Sequence, residues 1–446
     1  MDFISHSPSQ IKKILADIGK DSLDGLFSEL PDAVKLKKDI AVPQGCTEME
    51  VRQKFSVLFA KNKAHVGNIV SFLGAGAYDH FIPDVIDSII SRGEFLTAYT
   101  PYQAEMSQGL LQSIWEFQEL IASVTGTEVS NASLYDAGTA LAEAAKMAFN
   151  IQGKNVFLVP GNINPQYLEI LKTYNISGRM NFKPVNIKEG VVDVSDLKAK
   201  LDDKVAAVIV QQPNYFGCVE DLKQVADLTH AAGALLVSLW YPIASGLLKT
   251  PGACGADIVV GDGQPLGIPL SFGGPYLGFI GTRKKYIHNL AGRIVGKTVD
   301  TEGKESYVLT LQAREQHIKR ERASSNICSN QALAALRAAI YLSLMGSQGL
   351  KDVATLSYNR AHQLFDALIS SGAASPLFKS PFFNEFAVTL GSDAQRDKLL
   401  DELEKQDIFP GVKLEGHVGG LLMAVTEKNS VDQIERVVRL LKKAGA

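Results

Sequence analysis

From about residue 138 onward, short continuous apolar runs alternate with amphipathic stretches. That alternation predicts a mostly parallel sheet covered by helices on both faces. The runs at 156–159, 205–210, 234–238, 258–260 and 278–280, with a further strand near 180–184, lack one-sided polar spacing and are expected to be buried strands. Helices are expected between them at 139–149, 165–174, near 195 and at 222–232. Upstream, Ser7 caps a helix begun by Pro8, with Ile11, Ile14, Leu15 and Ile18 on one face and Gly19 as its stop. A turn at 43–45 precedes a helical run over 48–62. A longer amphipathic helix is expected over 104–125, carrying Leu110, Ile114, Phe117 and Ile121, with Gly126 just past its end. Beyond 326 the texture changes to long helical runs (331–344 and 352–371), β signals at 386–390 and 421–425, and a final helix opened by a Ser430/Gln433 capping box. The expected organisation is an N-terminal helical segment (1–65), a large α/β domain (66–325) and a small α+β domain (326–446).

With 446 residues the chain is long enough for two packed lobes. Hydrophobic residues make up 46% and charged residues 21%, an ordinary globular balance. The net charge of −3 argues against nucleic acid or an anionic membrane as partner. No apolar run approaches the roughly 20 residues of a bilayer span. Met1 to Ser7 has neither the basic nor the apolar region of a secretory signal. Cys46, Cys218, Cys254 and Cys328 are scattered without C-x-x-C spacing, which fits buried thiols in a reducing cytoplasm.

The chemistry concentrates in a few segments. Gly261-Asp262-Gly263-Gln264-Pro265-Leu266-Gly267, followed by Phe272-Gly273-Gly274-Pro275, reads as a strand end entering a glycine-rich loop. In enzymes built on pyridoxal 5'-phosphate (PLP), such a loop carries the lysine that bonds the cofactor. An amine can do this; the delocalised amide nitrogen of Gln264 cannot. Asp136-Ala137-Gly138-Thr139-Ala140 opens a helix, where Gly138 and Thr139 mark either a vestigial phosphate cradle or an ordinary cap. Trp240-Tyr241-Pro242 stands where a PLP scaffold wants an aspartate for the pyridine nitrogen, and Tyr241 reads as core packing with its hydroxyl paired. Tyr78, Tyr99, Thr100, Tyr102 and Gln103 form the densest polar-aromatic group on loops; binding and lobe packing explain it equally well. His65, His80 and His317 show no metal-ligand spacing, and the mixed-charge run 314–322 reads as a solvated or interface-facing helix.

Five segments together resemble the N-terminal (α) half of the glycine cleavage system P-protein family, in order over nearly the whole chain. They are Phe72-Leu73-Gly74-Ala75-Gly76-Ala77-Tyr78-Asp79-His80, Tyr99-Thr100-Pro101-Tyr102-Gln103-Ala104-Glu105, the Gln264 loop, Arg314-Glu315-Gln316-His317 and Asn326-Ile327-Cys328-Ser329-Asn330-Gln331. The resemblance implies a PLP-dependent transferase fold of type I, aspartate-aminotransferase-like, with a large lobe and a smaller α+β lobe. It also implies a degenerate α half with Gln264 at the lysine position and no catalytic residue acting alone. α chains of the family often carry an aspartate–proline pair where this one has Tyr241-Pro242.

The implied activity is that of glycine dehydrogenase (aminomethyl-transferring, decarboxylating). PLP is held by a β subunit, glycine loses carbon dioxide, and the aminomethyl group passes to the lipoyl arm of H-protein. By the same resemblance, Tyr99, Thr100, Tyr102 and Gln103, with Tyr78, line one wall of that pocket across the α–β interface. Two other readings stay open at this stage: an autonomous aminotransferase-like enzyme using another lysine, and a purely structural or regulatory subunit.

Overall fold

Continuous apolar runs become strands covered on both faces. In the computed structural model, which describes residues 6–38, 40–62 and 69–445, the chain forms two units, Met1–His65 and Val66–Ala446. His65 lies outside the described residues.

The larger unit is built on a seven-stranded sheet. Its order is Val129–Ser130, Gly278–Thr282, Ile258–Asp262, Leu235–Trp240, Val205–Gln212, Val156–Pro160 and Asn181–Val185. The last five strands in that order pair in parallel, whereas Gly278–Thr282 runs antiparallel to both its neighbours. The strand Val205–Gln212 outruns its apolar pattern, because Gln211 and Gln212 stay in register with Leu239 and Trp240. Those extra residues reach the carboxyl end of the sheet, where open α/β folds place their sites.

Helix Ala137–Gln152 lies against one face with an alanine-rich surface (Ala140, Ala144, Ala145 and Ala148 are buried), so its backbone approaches the sheet closely. The other face is covered partly by Gln108–Thr125 and by Ala332–Ser370. The latter comprises the two expected helical runs, separated at Gly346 (φ 60, ψ −171), where the helical conformation breaks. The smaller sheet, ordered Ser375–Pro376, Glu385–Thr389, Gly420–Ala424, Val412–Lys413, packs on a core shared with Phe72 and the helices Asp393–Glu404 and Val431–Gly445.

Several expectations change. Residues 104–106 form a separate 3-10 turn, and the helix begins at Gln108. The expected helix over 314–322 is broken into short turns, because Leu311 and Arg320 both take positive φ (54° each). The hairpin Ile294–Val299/Glu305–Thr310 and the helix Asp393–Glu404 were not foreseen.

That hairpin is fastened to Gln108–Thr125 by two glutamines. Gln118 Nε2 donates to the Val295 carbonyl (3.0 Å) while its Oε1 accepts from the Val295 N–H (2.9 Å). Gln108 makes the same pair of bonds with Tyr307, both at 2.9 Å. Each side-chain amide thus serves as a one-residue strand partner for backbone that would otherwise be unsatisfied.

In the N-terminal unit, Pro8–Asp17 and Glu48–Phe59 both start with capping boxes, Ser7 with Gln10 and Thr47 with Glu50. Among this unit's described residues only Leu15 is buried. No helix among the described residues is long and apolar enough to cross a membrane.

Replacing Gln118 by leucine leaves the Val295 N–H and carbonyl buried without partners. The expected loss is about 1–3 kcal/mol of unfolding free energy, read from the urea midpoint. An unchanged midpoint would show that the clamp does not hold the hairpin.

Candidate functional site

A cavity of about 40 Å³ opens at the carboxyl ends of the central strands, lined by Tyr78, Tyr167, Tyr241, Asp262, Asn384 and Glu385 among others. One water needs about 10–15 Å³ of such space, so the cavity holds a few waters, whereas cofactor pockets run to about 300 Å³ or more. Gln264, 1% exposed, lies between two residues that line the cavity, Asp262 and Pro265, on the glycine-rich loop. Its Oε1 accepts the Tyr78 N–H, and its Nε2 donates to the carbonyls of Tyr78 and Ile268, each at 2.9 Å. Both amide hydrogens are therefore committed, and the side chain is a strut between two loops.

Asp262, at the strand end beside it, accepts from the N–H groups of Gln264 (2.9 Å), Leu277 (3.2 Å) and Ala137 (3.2 Å). Burial still pushes its carboxyl up to about 6. Across the cavity, Glu385 accepts from the Ala75 N–H (2.7 Å) and the Tyr78 hydroxyl (2.8 Å), and burial pushes it up to about 7. Any side chain at Gly74 would collide with that carboxylate, its Cβ falling 2.2 Å from Oε1. The tyrosine rings of Tyr78 and Tyr241 pack with centroids 4.7 Å apart. His80 joins the Tyr241 hydroxyl through Nε2 and donates from Nδ1 to Glu427 (2.7 Å). Burial acts to raise the Glu427 carboxyl, but its bonds with His80 and the Phe81 N–H hold it below the ordinary range.

The expected phosphate cradle is filled by the protein itself. Asp136 caps Ala137–Gln152 by accepting the Thr139 N–H (2.8 Å), and Asp262 takes the Ala137 N–H. Gly138 serves packing, since a Cβ there would meet Ile170 at 2.4 Å. Gly138 and Thr139 thus stand in a capped helix end beside two carboxylates, whose charge disfavours a phosphate there. Tyr78 lines this cavity, with its hydroxyl and both backbone groups hydrogen-bonded within the chain.

Tyr99, Thr100, Tyr102 and Gln103 do not line the cavity. Tyr99 is 79% and Tyr102 58% exposed, on a loop without regular structure. Glu385 and Arg293 escaped the sequence reading, although each is a lone charge in an apolar run (Phe383-Asn384-Glu385-Phe386-Ala387 and Leu290-Ala291-Gly292-Arg293-Ile294), which is the available signal.

A family model of the glycine cleavage system P-protein matches residues 1–441. The chain belongs to the glycine cleavage system P-protein family. Probable glycine dehydrogenase (decarboxylating) subunit 1 of Desulforamulus reducens is 47% identical over 439 residues, 98% of either chain. A crystal structure of glycine decarboxylase (P-protein) of the glycine cleavage system, in inhibitor-bound form, matches the whole of both chains with a TM-score of 0.90 at 39% identity. An aspartate aminotransferase of Thermus thermophilus, 14% identical with a TM-score of 0.59, shares the fold. The architecture is the PLP-dependent transferase fold of type I. In this member of the P-protein family the residues present do not fit a PLP of its own: the amine is replaced, the space is filled, and the helix end is occupied by carboxylates.

Two outcomes are expected. Gln264→Lys brings no long-wavelength absorbance with PLP, and it destabilises the chain by roughly 1–3 kcal/mol because the Tyr78 N–H loses its acceptor; a new band would show that the cavity opens readily. Glu385 and Asp262 are raised in the fold above their ordinary 4.5 and 3.8, so the protonated forms are favoured. Their stabilisation is present below about pH 4 and is lost as pH rises through 6 to 7. Glu385→Gln removes the Glu385 share, making the variant more stable relative to the parent at pH 8 than at pH 5, by on the order of 1–3 kcal/mol in urea unfolding. Parallel pH dependences would contradict a buried, costly carboxylate.

Proposed function

We propose that this chain is the α subunit of a two-chain glycine decarboxylase and that it completes an active site whose PLP is held by the β subunit. The observation that carries this reading is Gln264: at the position of the cofactor lysine it is an amide with both hydrogens bound to backbone carbonyls. Relatives matched over nearly their whole length are named glycine dehydrogenase (decarboxylating) subunit 1, which supports decarboxylation of glycine as the reaction served. PLP on the β subunit supplies the electron sink for loss of carbon dioxide, and the aminomethyl group goes to the lipoyl arm of H-protein. The chain works in the cytoplasm and binds neither membrane nor nucleic acid.

The chain's own part is to bind, orient and exclude water. Tyr99, Thr100, Tyr102 and Gln103 stand on an exposed loop, where aromatic rings with polar tips suit an interface. They form the wall presented to the partner's pocket, positioning substrate and contacting the cofactor phosphate. The apolar surface of the N-terminal unit, where Val34, Leu36, Ile40 and Met49 are all exposed, supports a partner chain over part of it.

The test is a PLP titration of the chain alone and with its β partner, followed by glycine–bicarbonate exchange. No absorbance band alone, with band and exchange in the mixture, is the expected result; a band on the isolated chain would establish an autonomous enzyme. Changing Tyr99 and Tyr102 together to phenylalanine is expected to lower exchange at least roughly tenfold. Full exchange would reduce the loop to a structural role.

A further inference from the structure

Arg293 carries a charge that no carboxylate among the described residues pairs. It is 6% exposed, as buried as Arg396 at 7%, but the two are treated differently. Arg396 is flanked by Asp393 (3.0 Å) and Asp397 (2.9 Å). Arg293 has no carboxylate within ion-pairing distance among the described residues. Its partners are neutral: Nη1 reaches the Asn330 Oδ1 at 3.4 Å, and Nη2 donates to the Tyr102 hydroxyl at 3.2 Å. The guanidinium carbon lies 5.6 Å from the Tyr102 ring centroid, and Nε has no hydrogen-bond partner among the described residues. A guanidinium withdrawn from water with neither counter-ion nor full hydrogen bonding is strongly disfavoured unless something outside the chain completes it.

Three of the segments that mark the family meet here. Arg314 holds the loop beneath Arg293 by donating to the carbonyls of Leu290 and, at 3.0 Å, Gly292. Asn330 is pinned by donating to the Ala132 carbonyl (2.9 Å) and the Ser133 hydroxyl (3.1 Å). Tyr102 comes from the exposed loop. The guanidinium is thus fixed from below, while its upper neighbour is a half-exposed phenol. Because that phenol accepts from Arg293, its own proton is free to donate outward.

We propose that Arg293 and Tyr102 form half of an oxyanion site, completed when a small molecule in the partner's active site presents a carboxylate or phosphate to them. A planar guanidinium with a free Nε and a phenolic donor suits either group. The proposal rests on the subunit reading above, and it identifies the charged group that this chain contributes to the shared pocket.

The test uses the complex reassembled from the full chain and its β partner. Exchange by the parental complex is measured first; its absence would count against the subunit reading itself. With exchange established, Arg293→Lys keeps the charge but loses the planar fork, Arg293→Gln removes both, and Tyr102→Phe removes the outward donor. If the oxyanion is the substrate carboxylate, the arginine variants raise the KM for glycine at least roughly tenfold and leave the half-saturating PLP concentration in place. If it is the cofactor phosphate, the half-saturating PLP concentration rises instead by a similar factor. Tyr102→Phe is expected to move the same constant by a smaller factor. Both constants unchanged in Arg293→Lys would overturn the proposal. So would weakened subunit association, seen by sedimentation, with both constants intact, because the counter-ion would then be a side chain of the partner. Should Arg293→Gln fail to fold, Arg293→Lys and the surface variant Tyr102→Phe still decide.

Discussion

The amide of Gln264 holds the rest of the site in place. A lysine would have to remain free to meet a cofactor; the glutamine is bound on three sides to Tyr78 and Ile268. Once Tyr78 is fixed, its ring packs on Tyr241 and its hydroxyl bonds Glu385. Tyr241 in turn engages His80 and, through it, Glu427. The loop that follows the central sheet, the glycine-rich segment at 72–78 and the smaller sheet are therefore joined by one buried hydrogen-bonded network. Three tyrosines and two carboxylates line the small cavity that remains at the carboxyl end of the sheet.

This exchange of chemistry for structure has an electrostatic signature. Asp262 and Glu385 face one cavity without an arginine or lysine between them, and burial raises both. The arrangement suits a site that binds no anion. The opposite holds at Arg293, a buried cation whose partners among the described residues are neutral. Among the described residues, an acidic interior pocket thus contrasts with a buried cation beside the exposed loop. On the proposed reading, the chain's contribution to the reaction lies at the second.

Much of this was legible in the residues. Continuous apolar runs located the sheet strands because burial on both faces leaves no room for polar alternation, and Gln264 was conspicuous because the surrounding glycine and proline pattern leads to an expected amine. The hairpin at 294–310 escaped because Lys297, Thr298, Ser306 and Thr310 dilute its pattern, and its stability comes from Gln108 and Gln118, more than 170 positions away in sequence. The charged run at 314–322 looks helical by composition. Tertiary demands override it: Arg314 turns its guanidinium onto the carbonyls of Leu290 and Gly292, and the backbone takes positive φ at Leu311 and Arg320. Glycine at 138 could have meant a phosphate or a close helix contact, and the close contact with Ile170 is visible only in the structure.

The central claim is that the cofactor chemistry belongs to the partner while this chain shapes the pocket from outside. Borohydride reduction of the assembled, PLP-loaded complex followed by intact-mass measurement of both chains tests it most directly. The account predicts the added mass of one reduced pyridoxyl phosphate on the β chain and an unmodified mass for this one. A pyridoxyl adduct on this chain, at any lysine and in comparable yield, would contradict it.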